Sequence, residues 1–205
     1  MEIKILRKRI KGMYIRVKDG AVVVTAPFHV SEYRIHEFVA AHSEWIDKQI
    51  NKQNESILKD GQIVMILGKP FLVQEQGYFH IDSDRFIIGT DPSEYKLFIK
   101  RQIEPYLKKR FIYWSDRMGF SSVSVQFGFY KSKWGSCHKD KKIIRLNYYL
   151  WFTDYDMIDA VIVHELCHMK YMNHSSLFYQ EVFRWYPNYK HVHKKIKSVT
   201  IPTLS

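Results

Sequence analysis

VHELCHMKYMNHSSLF, residues 163–178, carries three of the chain's ten histidines within eleven positions. His164 and His168 are four residues apart. On an α-helix each residue advances about 100°, so such a pair shares one face, a turn apart. Both imidazoles then reach one ion at about 2.0–2.1 Å, the Zn–N distance. Glu165 follows the first histidine and points off that ligand face. It can reach a water on the metal without taking a coordination position itself, which is why His-Glu-x-x-His suits a zinc hydrolase.

The surroundings of this motif decide whether it is a metal site or three histidines on a surface helix. From Met157 to Val163 nearly every residue is apolar, so the helix entering the motif is buried on most sides. Its polar groups then sit at the edge of a core. His174 supplies a third donor six residues after His168, and catalytic zinc usually takes three protein ligands plus water. Asn173 tolerates the left-handed conformation that ends helices, and Ser175 suits the N-cap of the next one. A turn at Asn173 would bring His174 back over the metal. HELCHMKYMNH has the length of HExxHxxGxxH, but Tyr171 occupies the glycine position and no methionine turn follows. That class of zinc protein is therefore set aside. Glu181 as third ligand is also disfavoured, because thirteen residues after His168 is short for that arrangement.

Working outward, the second half reads as mostly helical. Thr153 is the expected helix start, with Asp156 completing an approximate capping box. Asp91-Pro92-Ser93 opens a long helix ending near Gly119, with Pro105 predicting a kink or two helices. Val123–Tyr130 and Ile143–Leu146 read as strands, separated by the polar excursion KSKWGSCHKDKK. The first half is β-rich. Residues 3–10, 13–18 and 21–26 read as strands, with Asp19-Gly20 as a tight turn. Ser31 caps a helix whose apolar positions run from Ile35 to Ile50, and polar residues 51–60 read as a connection. Two strands follow over Ile63–Val73 and a further β-rich piece over Tyr78–Ile88, turning at Asp82–Asp84. The expected class is α+β, with a β-rich lobe over residues 1–90 and a zincin-like lobe over 91–205 in which a small sheet lies beside the motif helix.

Composition narrows the function classes. With 46% hydrophobic and 16% aromatic residues in a chain of 205, a buried core is affordable and disorder is excluded. No run approaches the roughly 20 apolar residues of a membrane span. MEIKILRKRIKG lacks the apolar core of a secretory signal, so a cytoplasmic location and no membrane partner are expected. Cys137 and Cys167 are too few for a disulfide framework and are expected as thiols. Cys167 suits a small buried thiol, whereas Cys137 is a remote candidate for the metal. The formal charge of +11 gathers in clusters such as Lys96–Arg110 and Lys131–Arg145. These clusters are either solvated faces or a surface for a polyanion, nucleic acid or nucleotide. His191 and His193, set among lysines, read as part of that basic surface, and Asp159 either orients an imidazole or favours the helix N-terminus.

Trp134 to Cys137, Leu146-Asn147, Ile158-Asp159, His164 to His168, and Asn173 to Ser175 with Phe178 together resemble the YgjP-like metallopeptidase family, small bacterial zincins related to SprT-type proteins. The resemblance is close over the second half and implies one Zn2+ per chain held by His164, His168 and His174. The reaction expected is hydrolysis of a peptide or protein substrate. Zinc would acidify a water and polarise the carbonyl, while Glu165 takes the proton and returns it to the leaving amine. Substrate would add as a strand at the sheet edge near Trp134. Lys131, Lys133, His138 and Arg145 are candidates for holding an oxyanion or a substrate anion; alternatively these lysines are solvated and Trp134 is a core anchor. Two other readings use the same site: a nucleoside triphosphate phosphohydrolase, or a DNA-associated zinc protein. A glutamate beside the first ligand has little purpose in the latter.

Overall fold

Alternating apolar residues build the first sheet. The structure is a computed structural model describing residues 2–18 and 21–204; the expected Asp19-Gly20 turn lies outside the described residues. Strand β3 (Ala21–Ala26) is central, parallel to β1 (Ile3–Arg7) and antiparallel to β2 (Tyr14–Lys18). Val22, Val24 and Ala26 turn into a core completed by Ile35, Val39 and Ile46 from two helices. Helix α1 (Glu32–Ala41) starts as expected, the Ser31 Oγ accepting from the Arg34 backbone N–H at 3.3 Å. It does not continue to Ile50. The chain leaves helical geometry at His42, with φ −114° and ψ 15°, and α2 (Ser43–Ser56) restarts from there. Helix α2 thus occupies residues 51–56, expected as a connection. Polarity does not forbid a helix, because Glu, Gln and Lys are good helix formers.

These elements form one compact unit, Met1–Ile57, and the rest of the chain, Leu58–Ser205, forms a second. The division expected at residue 90 therefore falls about a sheet earlier. The physical reason is a shared core: Val64, Val73 and Phe86 from the second sheet pack with Ile99, Ile103 and Trp151 of the helical half. That sheet has the order β4-β5-β7-β6, from β4 (Ile63–Ile66), β5 (Lys69–Glu75), β6 (His80–Ile81) and β7 (Arg85–Ile88). Leu67 and Gly68 join β4 to β5 with φ of 48° and 80°, the paired left-handed geometry of a two-residue hairpin. Helix α3 (Pro92–Arg117) follows as a single helix, although Pro105 lies inside it. Its buried positions, among them Tyr95, Ile99, Ile103 and Leu107, recur at helical spacing.

The third sheet positions the motif. Strand β10 (Ile143–Asn147) lies between β8 (Ser124–Gly128), to which it is parallel, and β9 (Gly135–His138), to which it is antiparallel. Strand β9 falls inside the stretch read as a polar excursion. Its residues Gly-Ser-Cys-His show no apolar alternation, and backbone pairing with β10 makes it a strand. A 3-10 helix (Tyr148–Phe152) leads into α4 (Tyr155–Cys167), capped by Asp154 rather than Thr153: the Asp154 Oδ1 accepts from the Met157 N–H at 2.7 Å. Helices α5 (Ser176–Trp185) and α6 (Tyr189–Ile196) complete an α+β architecture. Among the described residues no helix is long and apolar enough to cross a membrane.

Candidate metal centre

Helix α4 is buried along most of its length, from Met157 to Cys167, and carries His164 at the end of that apolar run. His168 caps it in right-handed helical geometry, with φ −64°. The chain then reverses over Met169–Asn173 to reach His174. Asn173 is not among the residues with positive φ, so the expected left-handed turn there is not how the reversal is made. The Tyr171 carbonyl instead folds back and accepts from the His168 Nδ1 at 2.9 Å. Ser175 caps α5 as expected, its Oγ accepting from the Phe178 N–H at 3.5 Å.

This path brings the three imidazoles together. One ligand atom from each of His164, His168 and His174 lies within 4.8 Å of the others. The Nε2 of His164 is 3.2 Å from that of His168 and 3.2 Å from that of His174. Tetrahedral bonds of about 2.0–2.1 Å separate ligand atoms by about 3.4 Å, so this spacing fits an ion of zinc's size. Burial, with the neighbouring His168, His174 and His193, pushes the His164 ring down to about 3. Burial also lowers His168, partly opposed by its bond to the Tyr171 carbonyl and aided by His174. Both rings are therefore neutral, the form that coordinates a metal. Phe178 is fully buried beneath them, its ring centre 5.0, 4.5 and 4.9 Å from those of His164, His168 and His174. The motif phenylalanine is thus the floor on which the imidazoles rest.

Glu165 is buried on the β9 side of α4. Burial raises its carboxyl to about 8, with the Lys133 ammonium pulling the other way. A Cβ on Gly135 would lie 2.7 Å from the Glu165 Cγ and 2.8 Å from its Oε1. The glycine of Trp-Gly-Ser-Cys is therefore the space into which the carboxylate fits. Asn147, also fully buried, holds that strand in place. Its Nδ2 donates to the carbonyls of Tyr130 and Lys133 at 2.7 and 2.8 Å, and its N–H donates to the Trp134 carbonyl at 2.9 Å.

The remaining expected residues separate. Lys133 lines the cleft beside His164 and Glu165, whereas Lys131 and Arg145 do not. Lys131 is exposed in the preceding loop. Arg145 alternates with the buried Ile144 and Leu146, so it extends from the opposite sheet face. There it contacts Gln126 at 3.1 Å and His138 at 3.0 Å. Cys137 lies 3.5 Å from the Met169 sulfur, and Cys167 is buried. Asp159 neither orients an imidazole nor caps the helix; it accepts two bonds from Arg110, at 2.8 and 2.5 Å. Glu181 is held by Lys170 and the Trp185 indole at 2.6 and 2.8 Å. His193, read as basic surface, instead lines the cleft with Tyr189. Tyr189 is the residue sequence reasoning missed, its hydroxyl lying 2.6 Å from the His164 Nδ1. No local pattern marks it, because α6 returns to the site only through tertiary packing.

The family model of the YgjP-like, metallopeptidase domain matches residues 11–199. No curated protein matches the chain. Among solved structures, the zymogen of the Pyrococcus abyssi metallopeptidase abylysin is similar at 20% identity and a TM-score of 0.42, over 48% of this chain and 99% of that one. The zymogen of Methanocaldococcus jannaschii jannalysin is similar at 24% identity and a TM-score of 0.41, over 44% of this chain and 93% of that one. Membership of such a family implies a divalent metal, and the three-histidine group supplies a donor set for one. Matched over nearly its whole length, the chain belongs to the YgjP-like metallopeptidase family.

Proposed function

We propose that the protein is a zinc-dependent peptidase in which His164, His168 and His174 hold the metal and Glu165 is the general base. The observation that carries this reading is the convergence of three Nε2 atoms next to a buried carboxyl, at the edge of a sheet. Zinc bound there would supply Lewis-acid polarisation of the scissile carbonyl and would acidify water. Glu165 takes a proton from the attacking water as the C–O bond forms. It returns that proton to the amine nitrogen as the C–N bond breaks. Gly135 leaves its carboxylate room beside β9.

Strand β9 is at the sheet edge, so an extended peptide can pair with its free backbone side. A cleft of about 230 Å³ next to Glu165 would take a substrate side chain. Its walls include Trp134, Ala160, Val161 and Ile196, with Lys133 and Lys197 also lining it. Apolar lining favours an apolar residue, and Lys133 remains the basic group best placed to meet a substrate anion. The test is metal analysis and a peptide-cleavage screen of the wild type against Glu165→Gln. The variant should keep its zinc and lose about 10²–10⁴-fold in turnover, the usual worth of general acid–base catalysis. Undiminished cleavage by a zinc-loaded variant would remove Glu165 from this role. Phosphate release from nucleoside triphosphates without peptide cleavage would overturn the peptidase reading.

A further inference from the structure

Two of the three imidazoles are held from behind, and the two holds are chemically different. The outward Nδ1 of His168 meets the Tyr171 carbonyl oxygen at 2.9 Å. A carbonyl can only accept, so His168 carries its proton on Nδ1 and presents a bare Nε2 to the centre. The outward Nδ1 of His164 meets the Tyr189 hydroxyl at 2.6 Å. A phenol can donate or accept. If Tyr189 donates, the neutral ring must carry its proton on Nε2, and that nitrogen cannot coordinate. If Tyr189 accepts, the proton sits on Nδ1 and Nε2 is free.

We propose that Tyr189 is the positioning residue of the metal centre: its hydroxyl accepts the Nδ1–H of His164 and so selects the ring tautomer and orientation that bind the ion. This inference rests on the three-histidine metal site proposed above. The packing suits the task. Tyr189 is buried, and its ring lies nearly parallel to His164, at 17° and 5.8 Å between centres. On its own helix it stacks on His193 at 5.0 Å, and Phe183 of α5 meets it edge-on at 6.3 Å. The hydroxyl is thereby fixed by contacts from two helices that do not depend on the oxygen. This hydrogen bond thus ties helix α6 to the site, and losing it leaves an enclosed Nδ1–H without its acceptor. Partners of this kind are commonly worth 10–100-fold in metal affinity.

The experiment is chelator competition for Zn2+ on full-length wild type, Tyr189→Phe and Glu165→Gln, with melting of each metal-free protein alongside. Tyr189→Phe keeps the ring and its stacking. We expect its zinc affinity to fall about 10–100-fold while the metal-free melting temperature falls by no more than the few degrees that one lost hydrogen bond explains. Glu165→Gln should bind zinc as the wild type does. Equal zinc affinity in Tyr189→Phe and wild type would overturn the role of Tyr189 and leave the metal site standing. A wild type that binds no zinc would overturn both. Histidine ¹⁵N spectra of zinc-loaded wild type decide the matter even if Tyr189→Phe fails to fold. A His164 Nδ1–H protected from exchange supports the inference, and an Nδ1–H that exchanges freely overturns it.

Discussion

At the residue scale, the candidate site depends on an atom that is missing. Gly135 has no need of unusual backbone geometry, since its φ is not positive. It is required because the Glu165 side chain lies where a Cβ would be. Adding a methyl group there leaves only two outcomes: the carboxylate moves away from the cleft, or β9 moves away from α4. Gly135→Ala should therefore cut peptide hydrolysis by more than tenfold while zinc stays bound, and overpacking should destabilise the fold by about 1–3 kcal/mol. Peptide turnover, zinc content and urea unfolding measured on one preparation check this; full turnover in the alanine variant would show that the space is not needed. The Trp-Gly-Ser-Cys block was visible in the chain as a motif. Its reason was not, because the contact joins residues thirty positions apart in sequence.

Several helix starts are legible at the element scale, whereas helix ends and strand partners are less so. Ser31, Asp91 and Ser175 were all readable as N-caps or helix openers, and each accepts backbone N–H bonds as such a residue should. Capping is local chemistry between residues two or three apart. Strand β9 was not readable, because Gly-Ser-Cys-His shows no apolar alternation and its pairing with β10 is made by the backbone. The cap of α3 also sets a pH dependence. The Ser93 hydroxyl, then the backbone N–H groups of Glu94 and Ser93, hold the Asp91 carboxyl below its usual value. A carboxyl lowered in the folded state stabilises it above the unfolded value, near 3.9, and that stabilisation is lost as pH falls through the folded value. Asp91→Asn should therefore show a flatter acid limb of stability against pH, with most of its deficit at neutral pH. An acid limb identical to wild type in denaturant titrations would show that Asp91 is not linked.

For the whole molecule, the site depends on how α4 is anchored. Arg110 of α3 makes two bonds to Asp159 of α4, with side chains 24% and 15% exposed. Asp159 lies between the Asp154 cap and His164, so this pair joins α3 to α4 just before the histidine motif. Arg110→Ala leaves a mostly enclosed carboxylate without its partner and should destabilise the protein by about 2 kcal/mol, in the range of hydrogen bonds to charged groups. Asp159→Asn should cost less, since an amide needs no counter-charge. A double-mutant cycle measures the coupling, and a value near zero would mean that the pair is only a surface contact.

The chain alone determined the shared helix face of His164 and His168, the helix that carries them and the α+β class, whereas the folded turn after His168 brought His174 in to complete the histidine triad. What the chain determined follows from short-range rules: histidines four apart share a helix face, an apolar run buries that helix, and a serine cap restarts the chain after His174. Tertiary structure decided what surrounds the triad. Tyr189 and His193 reach the cleft because α6 packs back against α4, and Arg145 is taken from it because strand alternation turns it to the other face. The boundary near residue 57 has the same cause, since the strands after it bury their side chains against helices that come later. Contacts between residues distant in sequence depend on which surfaces meet, and no local periodicity records that.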